Sequence, residues 1–576
     1  MTRARTLPPH RAVLLLCTVA FFIASGWSAS AQNVQHLSIT EPGGMPGWPI
    51  LTGIQQVTNG VNVTWDGPSG YYQLYQKQSL TNATWQAIGK VTNLLRTTTV
   101  AVGKSNAFFR VSGPAPDYAG DHAVSNLPTE VCAGCHGIIH NTETNTPHFR
   151  TFQALQQIHQ DTNSSCLACH TVGYGLPTGF INVTKTPQLA NVQCENCHGP
   201  AGNHAAFDTN PTVTPRVELA ATVCGGCHTG PQQPTYDEWE TSSHAEVVPD
   251  VAAEMNASTN LIDSCGRCHS GSARLALLKG MPLPVGDADI AVVCAVCHDP
   301  HGNHTFTNLL NGPFTFTNPL TGDSFAITNN QLGAVYTNQL RNPLCSTNDY
   351  YITTSGVFTN QYVVNINICA QCHNHRGAFW TNWTRAPHNS PQYNMLLGTV
   401  GELASGNPPN YPASHSRLEK QCVACHMQTS PFQSETQPAV TGHSFSVQTY
   451  EACTPCHGTQ GEGLVQFLGF VVSNNVSQVK GQLDTWATNA SPPALRTNYG
   501  ALAWEYASPG GLSIGSPGPT NATLQAMIPV NIQKARFNLY IVYNDGSQGV
   551  HNPFYILTLL DTANQWIQET LNNPGN

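Results

Sequence analysis

The sequence predicts a multidomain protein: an N-terminal all-β sandwich, then a mainly helical and irregular domain built around covalent cofactors, then C-terminal helices. Three observations predict it. Residues 33–115 alternate polar and apolar side chains between turn signals. Residues 117–460 hold nine copies of Cys-x-x-Cys-His. Beyond residue 460, apolar side chains recur at helical spacing. The corresponding boundaries are 1–31, 32–115, 116–460 and 461–576, within a length of 576 residues that suits two or three domains.

Residues 1–31 read as a secretory signal. Arg3, Arg5 and Arg11 form a basic start, Ala12 to Ala24 an apolar stretch, and Ala29-Ser30-Ala31 a small-residue cleavage site ahead of Gln32. The apolar run is short for a bilayer span, so the mature chain is expected without a transmembrane anchor, in a periplasmic or extracellular setting. Net charge is −9 and charged residues make up only 10%. That excludes the basic surface nucleic acid requires.

In the β region, Val61-Asn62-Val63-Thr64-Trp65, Tyr72-Gln73-Leu74-Tyr75 and Phe108-Phe109-Arg110-Val111 read as strands, and Asp66-Gly67-Pro68 as a turn. Their spacing is similar to that of fibronectin type III and immunoglobulin modules. A surface-docking role and a plain spacer both fit such a module. Pro114-Ala115-Pro116 marks the linker.

There are 20 cysteines. Cys17 falls in the signal and Cys345 stands alone. The others form nine pairs, each followed at once by histidine: Cys132/Cys135/His136, Cys166/Cys169/His170, Cys194/Cys197/His198, Cys224/Cys227/His228 and Cys265/Cys268/His269. The rest are Cys294/Cys297/His298, Cys369/Cys372/His373, Cys422/Cys425/His426 and Cys453/Cys456/His457. This is the attachment signature of c-type haem. Two thiols on one helical turn reach the two vinyl groups of a porphyrin, and the next residue offers its imidazole to the iron as proximal ligand. Disulfides or structural zinc would use the cysteine pairs, but neither needs the adjacent histidine. With 24 histidines in 576 residues, nine coincidences are excluded. The sequence therefore predicts nine covalent haem c groups.

The remaining histidines can fill the sixth positions. Removing the nine proximal residues and His10 leaves 14, while there are seven methionines in all. Mostly bis-histidine ligation is expected, and with it low potentials. The candidate distal ligands are His148, His159, His204, His244, His304, His388, His415, His443 and His551. His122, His140, His301 and His375 rank behind them, and His36 belongs to the β region. Each also has the ordinary reading of a surface or hydrogen-bonded imidazole.

Nine motifs in residues 117–460 leave each about forty residues, too few for an ordinary core around every cofactor. The porphyrins themselves are expected to be the core, wrapped by short helices and loops. Residues 305–365 form a motif-free insert, long enough to be a functional loop or a partner surface. At the C-terminus, Leu464, Phe467, Leu468, Val471 and Val472 begin one apolar stripe. Tyr555, Leu559, Leu560, Ala563 and Ile567 form another, with Pro553 at an early helical position and His551 just before it.

Residues 130–205 resemble the cytochrome c-554 family of tetrahaem electron carriers. The resemblance rests on Thr146-Pro147-His148-Phe149, Cys169-His170-Thr171-Val172-Gly173-Tyr174-Gly175, Gly179-Phe180, and Val192-Gln193-Cys194-Glu195-Asn196-Cys197-His198-Gly199-Pro200 with His204. It implies paired, near-parallel haem stacking, with His148 and His204 as distal ligands. Residues 365–560 are similar to the wider group of hydroxylamine oxidoreductase, octahaem tetrathionate reductase and pentahaem nitrite reductase. The matching stretches are Cys372-His373-Asn374-His375-Arg376, Pro387-His388-Asn389-Ser390-Pro391-Gln392, Cys425-His426-Met427, Gly442-His443-Ser444-Phe445 and Asp545 to Tyr555. The pentahaem nitrite reductases use a Cys-x-x-Cys-Lys motif, which this chain lacks. The β region lies outside these families' common core.

Two functions compete. One is an electron conduit between redox partner proteins. The other is a multihaem oxidoreductase acting on a nitrogen or sulfur compound at one open-coordination haem, which needs a free sixth position and nearby acid–base groups. The conduit is favoured, because the supply of histidine is ample. Denaturing mass spectrometry of the chain, made in a host with c-type maturation machinery, is expected to show nine added haem masses. Fewer after full maturation would make some motifs decoys.

Overall fold

The computed structural model describes six strands between 50 and 112, then 117–121, 131–206, 215–302, 314–317, 324–327, 339–344 and 367–573, with short breaks inside these ranges. The signal segment, the linker, His36, His122, His304 and Cys345 lie outside the described residues. The described part is mainly helical and irregular. It divides into two compact units, residues 1–218 and 219–576.

In the first unit, strands β1 (Ile50–Val57), β2 (Gly60–Asp66), β3 (Tyr71–Lys77), β4 (Gln86–Thr92), β5 (Thr97–Val100) and β6 (Phe108–Ser112) form two antiparallel sheets, ordered β1-β2-β5 and β4-β3-β6. The three segments with the clearest alternation lie in β2, β3 and β6. Val63 and Leu74, one from each sheet, are buried.

The same unit holds the first three motifs, tied together by residues 117–121. Glu195, inside the third motif, accepts hydrogen bonds from Ala119 N, Gly120 N and Ala201 N. Gln193 Oε1 accepts from Asp121 N at 2.6 Å. Burial raises the Glu195 pKa, while its three backbone donors oppose that. Gly179 is fixed by packing, since a Cβ there would lie 1.7 Å from the Gly173 carbonyl.

Most motifs fold as short helical turns, while the fifth closes the longer helix Thr259–His269. The amides of His136, His228, His298 and His373 donate to the carbonyls of Cys132, Cys224, Cys294 and Cys369 at 2.8–2.9 Å. Each of these turns carries both thiols and the imidazole along one short stretch. Local side chains start other turns: Asn163 caps Ser164–His170 by accepting from Ser165 N, and Gln193 and Asn196 form a capping box on Cys194–His198.

In the second unit, helices Gly461–Asn489, Val530–Asp545 and Pro553–Asn572 enclose the largest apolar core, which includes Val479, Leu483, Trp486, Trp504, Ile541, Ile556 and Leu560. The stripe on the last helix is buried as its spacing predicts. The stripe on the first is corrected: Leu464 and Phe467 are exposed, and burial begins near Gly469 and Val472. The opening turns run beside the ninth motif instead, with Gly461 packed on Cys453. Within the 305–365 insert, strands β7 (Phe314–Thr317) and β8 (Ser324–Ile327) pair antiparallel.

These helices hold the loops that carry candidate ligands. Asn544 Nδ2 donates to the Pro387 carbonyl at 2.7 Å, beside His388. Asn552 Nδ2 donates to the carbonyls of Met395 and Tyr411. Asn538 Nδ2 donates to Glu402 O, and its Oδ1 accepts from Glu402 N.

Asp117 and Tyr118 are bonded into the motif-bearing region, through Gly202 N to Asp117 O at 2.8 Å and Tyr118 N to Thr178 Oγ1 at 2.9 Å. A chain beginning at Asp117 is expected to take up its full complement of haem and keep the spectrum of the whole protein. Loss of haem incorporation on that truncation would place the strands inside the cofactor core.

Candidate cofactor-binding centres

Six motif histidines lie opposite a second imidazole. The ring centroids are 6.5 Å apart for His136/His204, 6.0 Å for His269/His388 and 6.2 Å for His298/His443. They are 6.1 Å apart for His373/His244, 6.3 Å for His426/His551 and 6.2 Å for His457/His415. Direct stacking would bring rings closer. Two metal–imidazole bonds of about 2 Å, plus half a ring at each end, span about 6 Å. The six gaps therefore fit an iron held between two rings.

The other ring nitrogen supports that fit. A ligating imidazole uses one nitrogen for the metal and anchors the other N–H on an acceptor. Nδ1 of His415 donates to Val550 O at 2.8 Å, and Nδ1 of His426 to Phe445 O at 3.1 Å. Nδ1 of His443 donates to Thr441 O at 3.1 Å. Nδ1 of His388 meets Ser390 Oγ at 3.1 Å, and that hydroxyl donates onward to Asn374 O, which leaves it as the acceptor. Nδ1 of His551 lies 2.7 Å from Asp545 Oδ1. In each of these rings Nε2 is the nitrogen that remains for a metal.

Electrostatics keeps most of these rings neutral, the form that binds a metal. Burial, helped by His373, pushes His244 down to about 4. Burial and then Arg376 push His388 down to about 3. Burial also lowers His269, His415, His426 and His443. At His551 burial pulls downward, but the Asp545 carboxylate outweighs it and the net shift is upward.

Local chemistry positions the loops. Glu238 accepts from Thr441 N, Thr441 Oγ1 and His443 N at 2.7–2.9 Å, which fixes the turn bearing His443. Phe445 serves two centres. Its carbonyl anchors His426, and its ring packs edge-on against His244 at 4.4 Å.

All six facing partners are among the nine candidates read from the sequence. His204 pairs with His136, not with His198 six residues before it. His148 is half-buried on the turn Pro147–Arg150, and its carbonyl accepts from Val192 N beside the third motif. His159 is the candidate the geometry does not support. Its side chain is exposed, its backbone is left-handed with φ 56°, and no imidazole faces it among the described residues. The short helix Thr151–Gln157 has ended before it. His140 and His375, ranked lower, are both buried. His140 Nε2 lies 3.3 Å from Asp121 Oδ2, and His375 Nδ1 accepts from Gly377 N at 2.9 Å. His301 lies 4.0 Å from Asp299.

Thiols of different motifs meet. Side-chain hydrogen bonds join Cys132 with Cys194, Cys224 with Cys294, Cys268 with Cys372, and Cys369 with Cys422. Asp121, Cys132 and Cys194 also place donor atoms within 4.8 Å of one another, a grouping that could hold a metal ion. Both of these cysteines belong to complete haem motifs, which accounts for them without zinc.

The thiols are not equally enclosed. Cys456 of the ninth motif and Cys135 of the first are exposed, whereas the other motif cysteines, Cys227 of the fourth among them, are half-buried. The reason is local. Cys456 lies on the turn Thr454–His457, where Thr454, Pro455 and His457 are exposed with it. Cys227 ends a turn closed by its own amide on the Cys224 carbonyl at 3.1 Å, next to the exposed Gly226. In both motifs the first cysteine meets another part of the chain: Cys224 touches Cys294, and Cys453 packs on Gly461.

Sequence reasoning passed over Asp121, Asp545, Ser390 and Glu238. Of these, only Asp545 carried a signal, as a carboxylate shortly before a candidate ligand.

A family model described as cytochrome c554 and c-prime matches residues 131–199. The chain is 30% identical over 166 residues to the multiheme cytochrome MtrA of Shewanella baltica, covering 25% of this chain and 48% of that protein. It is 27% identical over 128 residues to cytochrome c-554 of Nitrosomonas europaea, covering 17% of this chain and 54% of that one. It thus spans about half the length of these curated relatives. A solved structure, the outer cell wall cytochrome OcwA, aligns with a TM-score of 0.46 and 18% identity, over 78% of this chain and 100% of that chain.

Substituting His204→Ala is expected to convert one iron from low-spin to high-spin and let it bind carbon monoxide when reduced. Covalent attachment is retained, because Cys132, Cys135 and His136 remain. Electron paramagnetic resonance with a carbon monoxide titration reads this, and an unchanged spectrum removes His204 from the ligands.

Proposed function

We propose that this multihaem c-type cytochrome is an exported nonahaem electron conduit, passing electrons between redox partner proteins along mostly bis-histidine centres. The observation that carries the reading is the set of six opposed imidazole pairs, each with room for one metal ion between its rings. Haem c bound there supplies one-electron exchange at iron. In this reading the eighteen motif cysteines, the exposed Cys135 and Cys456 among them, hold the groups covalently, and the nine motif histidines are the proximal ligands. His204, His244, His388, His415, His443 and His551 close six sixth positions. His148, beside the third motif, closes a further one.

The chain's own residues do the rest. Ser390, Thr441, Phe445, Asp545 and Val550 anchor ligand rings so that their orientation holds when charge on the iron changes. The touching thiols bring motifs together in the pairs first–third, fourth–sixth, fifth–seventh and seventh–eighth, which supports short jumps between centres. The two β-sheets, with Val63 and Leu74 buried, form a sandwich module that docks the protein at a surface. Export follows from the basic and apolar N-terminus. Among the described residues no helix is long and apolar enough to cross a membrane.

One observation favours the second reading, an oxidoreductase acting on a nitrogen or sulfur compound. Nδ1 of His170 is anchored on Thr151 O at 2.9 Å, yet no imidazole faces His170 among the described residues. An open iron there would be a substrate site. Paramagnetic resonance of the oxidised protein separates the readings. The conduit predicts signals dominated by low-spin iron. Predominantly high-spin iron that consumes a nitrogen or sulfur oxyanion would overturn it.

A further inference from the structure

Among the five rings of the opposed pairs anchored through Nδ1, one differs from the others in the charge of its partner. The anchored nitrogens of His388, His415, His426 and His443 meet a hydroxyl or backbone carbonyls, all neutral. His551 instead meets the carboxylate of Asp545, whose side chain is 0% exposed. Asp545 ends the helix Val530–Asp545, where the helix dipole disfavours an anion. Its second oxygen accepts from the backbone N and the hydroxyl of Ser547. Among the described residues, no lysine or arginine pairs with it. A buried carboxylate at that end of a helix is costly unless a cationic or strongly polarised partner meets it. The N–H of His551 is that partner.

We infer that Asp545 makes the His426/His551 centre the lowest-potential site among the six opposed pairs. The inference rests on the bis-histidine reading above. A carboxylate that takes up the Nδ1 proton's charge pushes electron density toward Nε2. The ring becomes a stronger donor and favours ferric over ferrous iron. Its negative charge, in a dry surrounding, acts in the same direction. The position matters for the conduit. Cys422 of this motif touches Cys369 of the seventh, and Cys425 lies near Cys453 of the ninth. The centre therefore stands between two neighbours, and a low potential there makes it the uphill step that sets the rate of passage between them. Asp545 is a positioning residue: it acts through His551 and touches no other ligand.

Spectroelectrochemical titration of the whole protein, resolved centre by centre by paramagnetic resonance, tests this. In Asp545→Asn one midpoint rises, changing the ferric-to-ferrous ratio at fixed potential at least tenfold, about 59 mV for a one-electron couple. Asp545→Glu, which keeps the charge, restores a low midpoint. Ser390→Ala, which removes a neutral partner from His388, moves its own centre by less. Unchanged midpoints in Asp545→Asn with the low-spin signals intact, or an equal shift in Ser390→Ala, would overturn the inference while leaving the ligation standing. His551→Ala tests the ligation separately. If it creates no high-spin iron, the bis-histidine reading of this centre fails instead.

Discussion

Pairs of imidazoles opposed across about 6 Å, several of the rings anchored through Nδ1, are the interaction on which this structure turns. Apart, each ring is an ordinary histidine side chain. Together they define a gap that suits one metal ion, and they join segments far apart in the chain: 136 with 204, 244 with 373, 298 with 443, and 426 with 551. Every loop that brings a ring to such a gap is fixed by a specific polar contact, such as Glu238 on the His443 turn or Asn544 on the His388 segment. The ligands are thus positioned by hydrogen bonds more than by apolar packing.

The distribution of core follows from that. Beyond residue 460 three long helices bury a conventional apolar cluster around Trp486, Trp504 and Leu560. Around the motifs the clusters are small, such as Met255, Ile262 and Ala273, or Ala370, Tyr393 and Leu397. Short helical turns with so little apolar burial are marginal alone. On the conduit reading, covalent cofactors fill the space between them, and the helical C-terminal layer is a rigid wall against which the loops of 385–411 are pinned.

The motifs were legible because their chemistry is local: both thiols and the imidazole are set within five residues on one turn. How deeply each turn is enclosed was not legible, as the exposed Cys135 and Cys456 show, because enclosure depends on segments remote in the chain. The distal candidates were legible as a pool, since histidine is too frequent in this chain to be decorative. Their pairing was not. His204 follows the third motif in sequence but faces the first, because the chain folds back through residues 117–121 and the Glu195 contacts. His159 looked as good as His148, yet it falls just past a helix end on the exposed side. The stripe opening at Leu464 has a sound helical period, but period alone does not say which turns meet a neighbour. Asp545 shows the same limit: its distance from His551 becomes meaningful only once the turn at Gly546 closes.

The central claim is that iron sits between these paired rings. Anomalous diffraction at the iron edge from crystals of the haem-loaded protein tests it most directly. The account predicts iron peaks between the rings of His136/His204, His269/His388, His298/His443, His373/His244, His426/His551 and His457/His415. Iron beside the motif histidines with the partner rings turned away would contradict it.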